Sequence, residues 1–296
     1  MSQDRAKFTA EGVAAWRAAG AREKDELVRN PDFLAAKFLG PKLYLISQFP
    51  PLAKLALWRF QKLVPGGYYF QNARTKHIDT TLKQRIAAGI EQLVILGAGY
   101  DSRPYRFLDL LRTVKVFEVD HPSTQASKKE KLIKIFGSLP EWVTFVAMDF
   151  NTERLDVRLP ASGYDDRCKT FFVWEGVCMY ISPEAVDETL SYVAHHSAPG
   201  TSIIFDYIYR SVVEGTCDYY GARETSQYVA KIGEPYTFGI DEGATEQFLA
   251  ERGYEMVSDL SPQQLENTYL IRQDGKLHGR ADGSGGIAHA RVKSGG

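Results

Sequence analysis

The residues with the clearest chemical potential are two glycines and an aspartate that follow two apolar runs. Gly97 and Gly99, separated by Ala98, end the apolar run 93–96. Asp120 ends a second run about 20 residues after Gly99. Glycines at the end of a buried strand allow the backbone to approach a ligand closely, and a carboxylate at the tip of the next strand can accept hydrogen bonds from both hydroxyls of a ribose. The pattern therefore predicts a site for a nucleoside-bearing cofactor.

Further acidic residues follow two later apolar runs. Asp149, with Phe150 beside it, follows the third run, and Glu175 follows the fourth. Because the carboxyl ends of parallel strands meet at one edge of a sheet, we expect these side chains near Asp120. The sequence Asp149-Phe150-Asn151 is also typical of a plain turn, so both interpretations of Asp149 stay open at this point.

The loop that follows the glycines carries two charges of opposite sign. Asp101 and Arg103 are separated by one residue. A pair at this spacing after a tight turn is expected to form an internal ion pair that holds the loop, and not to contact a ligand.

The elements that must position these residues alternate between strand and helix from residue 91 onward. We predict strands near 92–97, 115–120, 142–147, 169–175, 202–208, 254–259 and 287–292, and helices near 104–112, 122–136, 183–197 and 245–253. Such alternation indicates an α/β fold, with a largely parallel sheet covered by helices on both faces.

Two other regions do not follow this alternation. Residues 1–90 are predicted to form a helical N-terminal cap, and 91–296 to form the core. Within the cap, the apolar segment 43–63 is broken by Pro50-Pro51 and is expected to be a buried or lid-like helical region. The segment 209–240 is rich in tyrosine, glycine and charge, and we expect it to be an insertion that covers a substrate.

Composition narrows the class of protein further. The chain has 296 residues and a formal net charge of −1, which gives no reason to expect nucleic acid as a partner. Its apolar runs are too short for a membrane span, and the N-terminus resembles no signal peptide, so we expect no membrane partner. Its three cysteines are widely spaced and show no metal-ligand spacing. We therefore expect a cytoplasmic protein without a metal.

Four separated blocks of the sequence together carry a family resemblance. They occupy residues 74–79, 96–107, 117–122 and 174–181, in this order. Together with the helix that contains Trp16 and Arg17, they resemble the leucine carboxyl methyltransferase family, and in particular its bacterial branch of S-adenosylmethionine-dependent O-methyltransferases. The resemblance implies a Rossmann-like seven-stranded methyltransferase sheet with one antiparallel strand and a helical N-terminal cover.

The resemblance also implies a cofactor and a set of residues that bind it. The cofactor would be S-adenosyl-L-methionine, released as S-adenosyl-L-homocysteine, with no metal. Arg74 would pair with its methionine carboxylate, and Gly97, Ala98 and Gly99 would let its amino-acid portion pass close to the backbone. Asp120 would bind the ribose.

Further roles implied by the resemblance concern the adenine, the amino group and the acceptor. Asp149 and Phe150 would contact the adenine, and Glu175 lies where the family contacts the cofactor's amino group. Tyr180 matches a tyrosine that contacts the acceptor carboxylate. With Arg74 it forms our predicted catalytic pair, and with the residues Arg17 and Tyr207 it forms the predicted substrate-binding set.

The resulting functional prediction is transfer of a methyl group to a carboxylate or phenolic hydroxyl of a small-molecule or peptide acceptor. An NAD(P)-dependent oxidoreductase shares the pattern of strand, glycines and acid. However, Ser102 replaces its third glycine, and no Tyr-x-x-x-Lys pair follows. A cofactor-binding protein without catalysis is the other alternative, because the acceptor half of the site has fewer sequence signals.

Overall fold

A single seven-stranded sheet organises the chain. The computed structural model describes residues 3–293, with side chains described from residue 9. The strands are β1 (Gln92–Leu96), β2 (Lys115–Asp120), β3 (Val143–Ala147), β4 (Thr170–Trp174), β5 (Ser202–Ile208), β6 (Tyr254–Leu260) and β7 (Gly285–Val292). Their order across the sheet is β3-β2-β1-β4-β5-β7-β6. All seven strands lie close to their predicted positions.

Strand direction confirms the expected class of sheet. Strands β1 to β5 pair in parallel, whereas β7 runs antiparallel to both β5 and β6. The register aligns Leu96 with Val119 and Asp120 with Ala147, so the carboxyl ends of β1, β2 and β3 lie side by side. This alignment brings the residues after each strand to one edge of the sheet.

Twelve α-helices of the described chain cover the sheet and its carboxyl edge. They are α1 (Gln3–Gly20), α2 (Pro41–Gln48), α3 (Pro50–Gln61), α4 (Gly67–Ala87), α5 (Arg103–Arg106), α6 (Pro122–Phe136), α7 (Leu155–Ala161), α8 (Pro183–His195), α9 (Arg210–Glu214), α10 (Ala222–Lys231), α11 (Thr245–Ala250) and α12 (Pro262–Tyr269). The predicted start at Ser182 is confirmed, because its side chain accepts a hydrogen bond from the Ala185 N–H and Pro183 occupies the first turn.

The side chains of β1 alternate between two hydrophobic clusters, one on each face of the sheet. Val94 and Leu96 belong to one cluster, and Leu93 and Ile95 belong to the other. The second cluster also contains Ala14, Phe38 and Ile78 from the N-terminal region. The N-terminal helices therefore pack directly on the sheet. The division of the chain at residue 90 stays a prediction.

One local prediction was wrong, and one of the alternatives in a second prediction is excluded. The helix predicted near 104–112 ends at Arg106, because the following N–H groups of Leu110 and Val114 bond to the third residue back and form separate turns. The segment 43–63, predicted to be buried or lid-like, is helical but not buried, because none of the residues of α2 and α3 is buried. The lid-like alternative stays a prediction. No helix within residues 3–293 is long and apolar enough to cross a membrane.

Candidate cofactor and acceptor site

A cavity of about 180 Å³ lies at the carboxyl ends of β1, β2, β3 and β4. It is named here the cofactor cavity. All eight predicted cofactor-binding residues border it: Arg74, Gly97, Ala98, Gly99, Asp120, Asp149, Phe150 and Glu175. The fold thus brings together residues that are separated by up to a hundred positions in the sequence.

The glycine turn after β1 forms one wall of the cofactor cavity. Gly97 has a φ of 68°, a left-handed conformation that favours glycine. A Cβ atom at this position would lie 2.2 Å from the Cγ2 atom of Val177. The N–H groups of Gly97 and Ala98 donate to the carbonyl of Val119 at 2.8 and 3.0 Å, which fixes the turn against β2. Any other residue at position 97 would therefore be strained in its backbone and would clash with Val177.

Asp120 holds the same turn from the end of β2. Its Oδ2 accepts from the Gly99 N–H at 2.6 Å, and its Oδ1 accepts from the His121 N–H at 2.7 Å. Burial raises the pKa of Asp120, although both backbone N–H groups act in the opposite direction. A carboxylate has about four lone-pair sites, so two remain for hydroxyl donors.

Asp149 combines the two interpretations that its sequence left open. Its Oδ1 accepts from the Asn151 N–H at 3.0 Å, as in a plain turn, yet the side chain also borders the cofactor cavity. Its Oδ2 lies 3.9 Å from the Nε2 atom of His121. Phe150 is partly buried against the hydrophobic cluster beside it. The adenine-binding role of these two residues stays a prediction.

Arg74 lies in a buried network at the inner end of the cavity. Its Nε donates to Glu175 at 3.0 Å, and its two terminal nitrogens donate to Asp206 and to the side-chain oxygen of Gln71. An arginine has five N–H donors, so two remain for a further carboxylate. Arg74 is fixed in position by this network and keeps part of its donor capacity.

Arg103 joins this network from the loop after β1. It pairs with Asp101 at 2.5 Å, which confirms the predicted internal ion pair, and also with Asp79 and Glu175, both at 2.7 Å. Burial acts to raise the pKa of Glu175, but the guanidiniums of Arg103 and Arg74 outweigh it and hold the pKa well below its usual range. Glu175 is thus a charged residue that is already paired twice.

A second cavity of about 1290 Å³ adjoins the first and is named here the acceptor cavity. Its lining is largely apolar and comes from α1, α2, α3 and α10, with Trp16, Leu57, Phe60, Tyr228 and Val229 among its side chains. Five residues border both cavities: Thr9, Val13, Arg74, Gly176 and Tyr180. The two spaces therefore meet at these five residues.

Tyr180 stands at this junction with Tyr236 beside it. Their ring centroids lie 5.4 Å apart. Burial raises the pKa of Tyr180. Its hydroxyl therefore stays protonated at neutral pH and can donate a hydrogen bond.

The other two predicted substrate-binding residues are held by internal contacts. Arg17 is 5% exposed, pairs with Asp32 at 3.0 Å and donates to the Tyr100 carbonyl at 2.7 Å. It borders the cofactor cavity. Tyr207 borders the acceptor cavity, but its hydroxyl donates to Asp259 at 2.8 Å and accepts from Thr245. A role for either residue in acceptor binding stays a prediction.

Sequence analysis missed two acidic residues at the site. Asp206 lies within β5 and accepts from the Gly176 N–H at 2.7 Å. Like Glu175, it directly follows a short apolar run, so the same sequence signal would have located it. Glu234 lies in an irregular segment and borders the cofactor cavity. Its Oε2 accepts from Thr9 at 2.6 Å, while its buried Oε1 has no hydrogen-bond partner among the residues described. No local sequence signal marks Glu234.

The strand order, the antiparallel β7 and the strand-edge site define the class of the protein as a Rossmann-like methyltransferase. Comparison with known proteins gives the family. The model of the leucine carboxyl methyltransferase family matches residues 10–194. The chain belongs to the leucine carboxyl methyltransferase family, and its class of activity is methyl transfer from S-adenosylmethionine.

Individual relatives support this assignment. The Bacillus subtilis protein YktD, named for S-adenosylmethionine-dependent methyl transfer, is 31% identical over 69% of this chain and 67% of its own length. A Streptomyces coelicolor protein with the same kind of name is 32% identical over 70% of each chain. These names favour the methyltransferase over the nicotinamide alternative.

Solved structures share the fold. A Thermobifida fusca protein assigned by name to methyltransferases superposes with a TM-score of 0.58 at 13% identity, covering 95% of this chain and 94% of its own. A duf574 family protein from Streptomyces avermitilis gives 0.57 at 15% identity, covering 82% and 91%.

The residues of the cofactor cavity fit S-adenosylmethionine. Gly97 and Gly99 bring backbone without a side chain to the cavity wall, Asp120 has free lone pairs for the ribose hydroxyls, and Arg74 has free donors for a carboxylate. The buried, unpartnered Oε1 of Glu234 adds an acceptor suited to an ammonium group.

Proposed function

We propose that this protein methylates an oxygen atom of an acceptor with an apolar body, and that the reacting group is a carboxylate. The observation that carries the proposal is the junction of the two cavities, where Arg74, Gly176 and Tyr180 lie. One cavity has polar strand-edge residues suited to the cofactor, and the other has an apolar lining suited to a second molecule. A methyl group can pass between molecules only where two such spaces meet.

The chain's own residues would act mainly by orientation. When bound, S-adenosylmethionine supplies a methyl group activated by its sulfonium, and S-adenosylhomocysteine is the leaving group of an in-line displacement. Asp120 would fix the ribose of the cofactor, and the glycine turn and Arg74 would fix its amino-acid portion. Tyr180 would donate to the acceptor oxygen and hold it on the line of attack. Orientation of this kind is worth up to about 7–11 kcal/mol of the barrier.

The acceptor cavity favours a carboxylate over a phenol. A carboxylate is ionised at neutral pH and needs no general base, whereas a phenol needs one. Among the described residues that border this cavity there is no histidine, and its buried aspartates Asp206 and Asp282 are already held by Arg74 and Thr225. The hydroxyl of Tyr180 is itself protonated, since burial raises its pKa, so it serves as a donor and not as a base.

Two measurements in sequence test the proposal. Calorimetric titration with S-adenosylhomocysteine, run beside NADH and NADPH, should show binding of the first ligand alone. Methyl transfer from labelled S-adenosylmethionine to a panel of apolar carboxylic acids and phenols should then show turnover with the acids. Treatment of the product with alkali releases methanol from a methyl ester but not from an aryl ether.

The outcomes separate the alternatives. Label released as methanol supports carboxylate methylation. Label retained in an alkali-stable product would show that the methylated group is a phenolic hydroxyl and not a carboxylate. Binding of S-adenosylhomocysteine without turnover on any member of the panel or on cell extracts would favour the non-catalytic binding protein. Binding of a nicotinamide cofactor instead would overturn the site assignment.

A further inference from the structure

The helices α2 and α3 expose large apolar side chains to solvent. Seven such residues lie on this hairpin or just after it, and between 45% and 58% of each is exposed: Tyr44, Leu45, Phe49, Leu52, Leu55, Trp58 and Leu63. They are named here the hairpin face. Scattered exposed apolar residues are ordinary, but a contiguous group on adjacent turns indicates an interaction surface.

The opposite side of the same hairpin is also apolar. Ala53, Leu57 and Phe60 recur at helical spacing along α3 and line the acceptor cavity, as do Leu43 and Ile46 on α2. The hairpin is therefore apolar on both sides, although only one side contacts the rest of the chain. A helix that is apolar all round is normally covered on every side.

The charges that α2 and α3 themselves carry have one sign. Between Asp32 and Asp79 the sequence contains no aspartate or glutamate. Lys42, Lys54, Arg59 and Lys62 lie on or directly after α2 and α3, and all four are exposed. The Nζ atom of Lys62 lies 3.7 Å from the ring centroid of Trp58. The two helices thus combine aliphatic and aromatic side chains with a rim of their own basic side chains.

We propose that the hairpin face docks on an anionic lipid surface, with α2 and α3 lying in the plane of the interface. Helices with Trp, Phe and Leu on one face and Lys and Arg beside them bind at the boundary between headgroups and acyl chains. Aromatic side chains favour this boundary, and each basic residue near an anionic leaflet adds attraction.

The charge pattern favours lipid over a second copy of the chain. In a symmetric dimer through this face, the basic rims of both copies would meet, and the hairpin offers no acidic residue to pair with them. An anionic lipid surface instead supplies the missing negative charge along with the apolar layer.

Docking would also place lipid beside the acceptor cavity. Pro50, Lys54 and Ala56 are exposed on α3 and also belong to the cavity lining. An amphiphilic acceptor could then enter from the lipid surface. This last step rests on the proposed function, whereas docking itself does not.

Vesicle flotation with the full-length protein tests the docking. Vesicles of phosphatidylcholine alone are compared with an equimolar mixture of phosphatidylcholine and phosphatidylglycerol, at low and at high salt. The protein should float with the anionic vesicles, and high salt should weaken the association. Calorimetry with S-adenosylhomocysteine on each variant reports separately whether the fold and the cofactor cavity are intact.

Two sets of substitutions address the two parts of the surface. Leu52→Gln, Leu55→Gln and Trp58→Gln together remove apolar contact and should abolish flotation. Lys42→Gln, Arg59→Gln and Lys62→Gln together should lower partition onto anionic vesicles on the order of 100-fold. The control combines Val157→Gln with Val257→Gln, residues that are 60% and 54% exposed elsewhere on the molecule, and it should float like the wild type.

Three results would overturn the proposal. The first is absence of flotation with either vesicle type. The second is flotation that the apolar variant retains. The third is a concentration-dependent dimer of the wild type in sedimentation that is lost when Leu52, Leu55 and Trp58 are replaced, while neither protein binds vesicles. This result would assign the face to a second copy of the chain. Normal binding of S-adenosylhomocysteine in any of these cases leaves the proposed function standing.

Discussion

Asp120 is the residue on which the cofactor cavity depends most directly, because its carboxylate both fixes the glycine turn and faces the cavity. Asp120→Ala should weaken S-adenosylhomocysteine binding at least about 100-fold, since two hydrogen bonds to a charged group are worth about 1.5–3 kcal/mol each. Calorimetry measures the loss. Asp156→Ala, which breaks only an exposed pair with Arg154, is the control and should bind normally. Unchanged affinity in the Asp120 variant would show that the ribose does not bind at this carboxylate.

Gly97 tests the steric argument at the same turn. Gly97→Ala should destabilise the fold by about 1–2 kcal/mol through its left-handed backbone and by about 1–3 kcal/mol more through the clash with Val177. Urea unfolding measures the sum. Gly215→Ala has nearly the same φ, 69°, with nothing within 4 Å of the added Cβ, and isolates the backbone contribution. Adding Val177→Ala to the Gly97 variant should recover only the steric part, and equal costs at Gly97 and Gly215 would contradict the clash.

At the scale of elements, β2 and α6 are joined by a buried ion pair. Glu118 accepts from Lys128 at 2.8 Å and from the Tyr105 hydroxyl at 2.8 Å, and both charged side chains are 1% exposed. Lys128 also lies 3.5 Å from the Ala98 carbonyl and so connects α6 to the glycine turn. Burial raises the pKa of Glu118 to about 7, even though Lys128 acts to lower it.

This pair predicts a pH dependence of stability. A folded-state pKa above the unfolded value means that the folded chain binds the proton more tightly. The stabilisation that Glu118 contributes is thus present below its unfolded pKa, near 4.5, and is lost as pH rises through about 7, a change on the order of 3 kcal/mol. Urea unfolding across this range should show a decline in the wild type that is absent when Glu118→Gln and Lys128→Met are combined.

The single variant Lys128→Met provides a further check of the same pair. It leaves an uncompensated carboxylate and should cost about 3–5 kcal/mol at about pH 8, but less at about pH 5, where Glu118 is protonated. The combined variant should recover most of that cost, because replacing both members of a buried pair is often nearly neutral. If the loss of stability in Lys128→Met does not depend on pH, the ion pair with Glu118 is not its source.

The elements of the sheet could be predicted from the sequence because their signals are local. Buried parallel strands such as β1 and β4 are short apolar runs, and their ends are marked by glycine, aspartate or glutamate. The outward face of α2 and α3 could not be predicted, since apolar residues in a helix give no sign of which side the rest of the chain covers.

At the scale of the whole molecule, the site too could be predicted only where its residues carry local sequence signals. Gly97, Asp120, Asp149 and Glu175 could be predicted from their positions at strand ends, whereas Arg74 was predicted from the family resemblance, and the fold brings them together. Glu234 carries no such signal, because its position depends on how the segment after β5 folds back over the cavity toward α1. The hydrogen bond from Thr9 to Glu234 joins α1 to the segment after β5, which together are named here the cover, across more than two hundred residues of sequence.

Glu234 thus joins the cover to the cofactor cavity, and its Oε1, which has no partner among the described residues, is suited to the cofactor's ammonium group. Glu234→Gln keeps a carbonyl that accepts from Thr9 but removes the charge. It should weaken S-adenosylhomocysteine binding about tenfold, which corresponds to the lower end of the free energy of a hydrogen bond to a charged group. The affinity for an analogue that lacks the amino group should stay unchanged. Thr9→Ala is the control, because it loosens the cover and should weaken both ligands equally. If Glu234→Gln also weakens both equally, Glu234 acts only through the cover and the ammonium must bind elsewhere, with Glu175 as the next candidate.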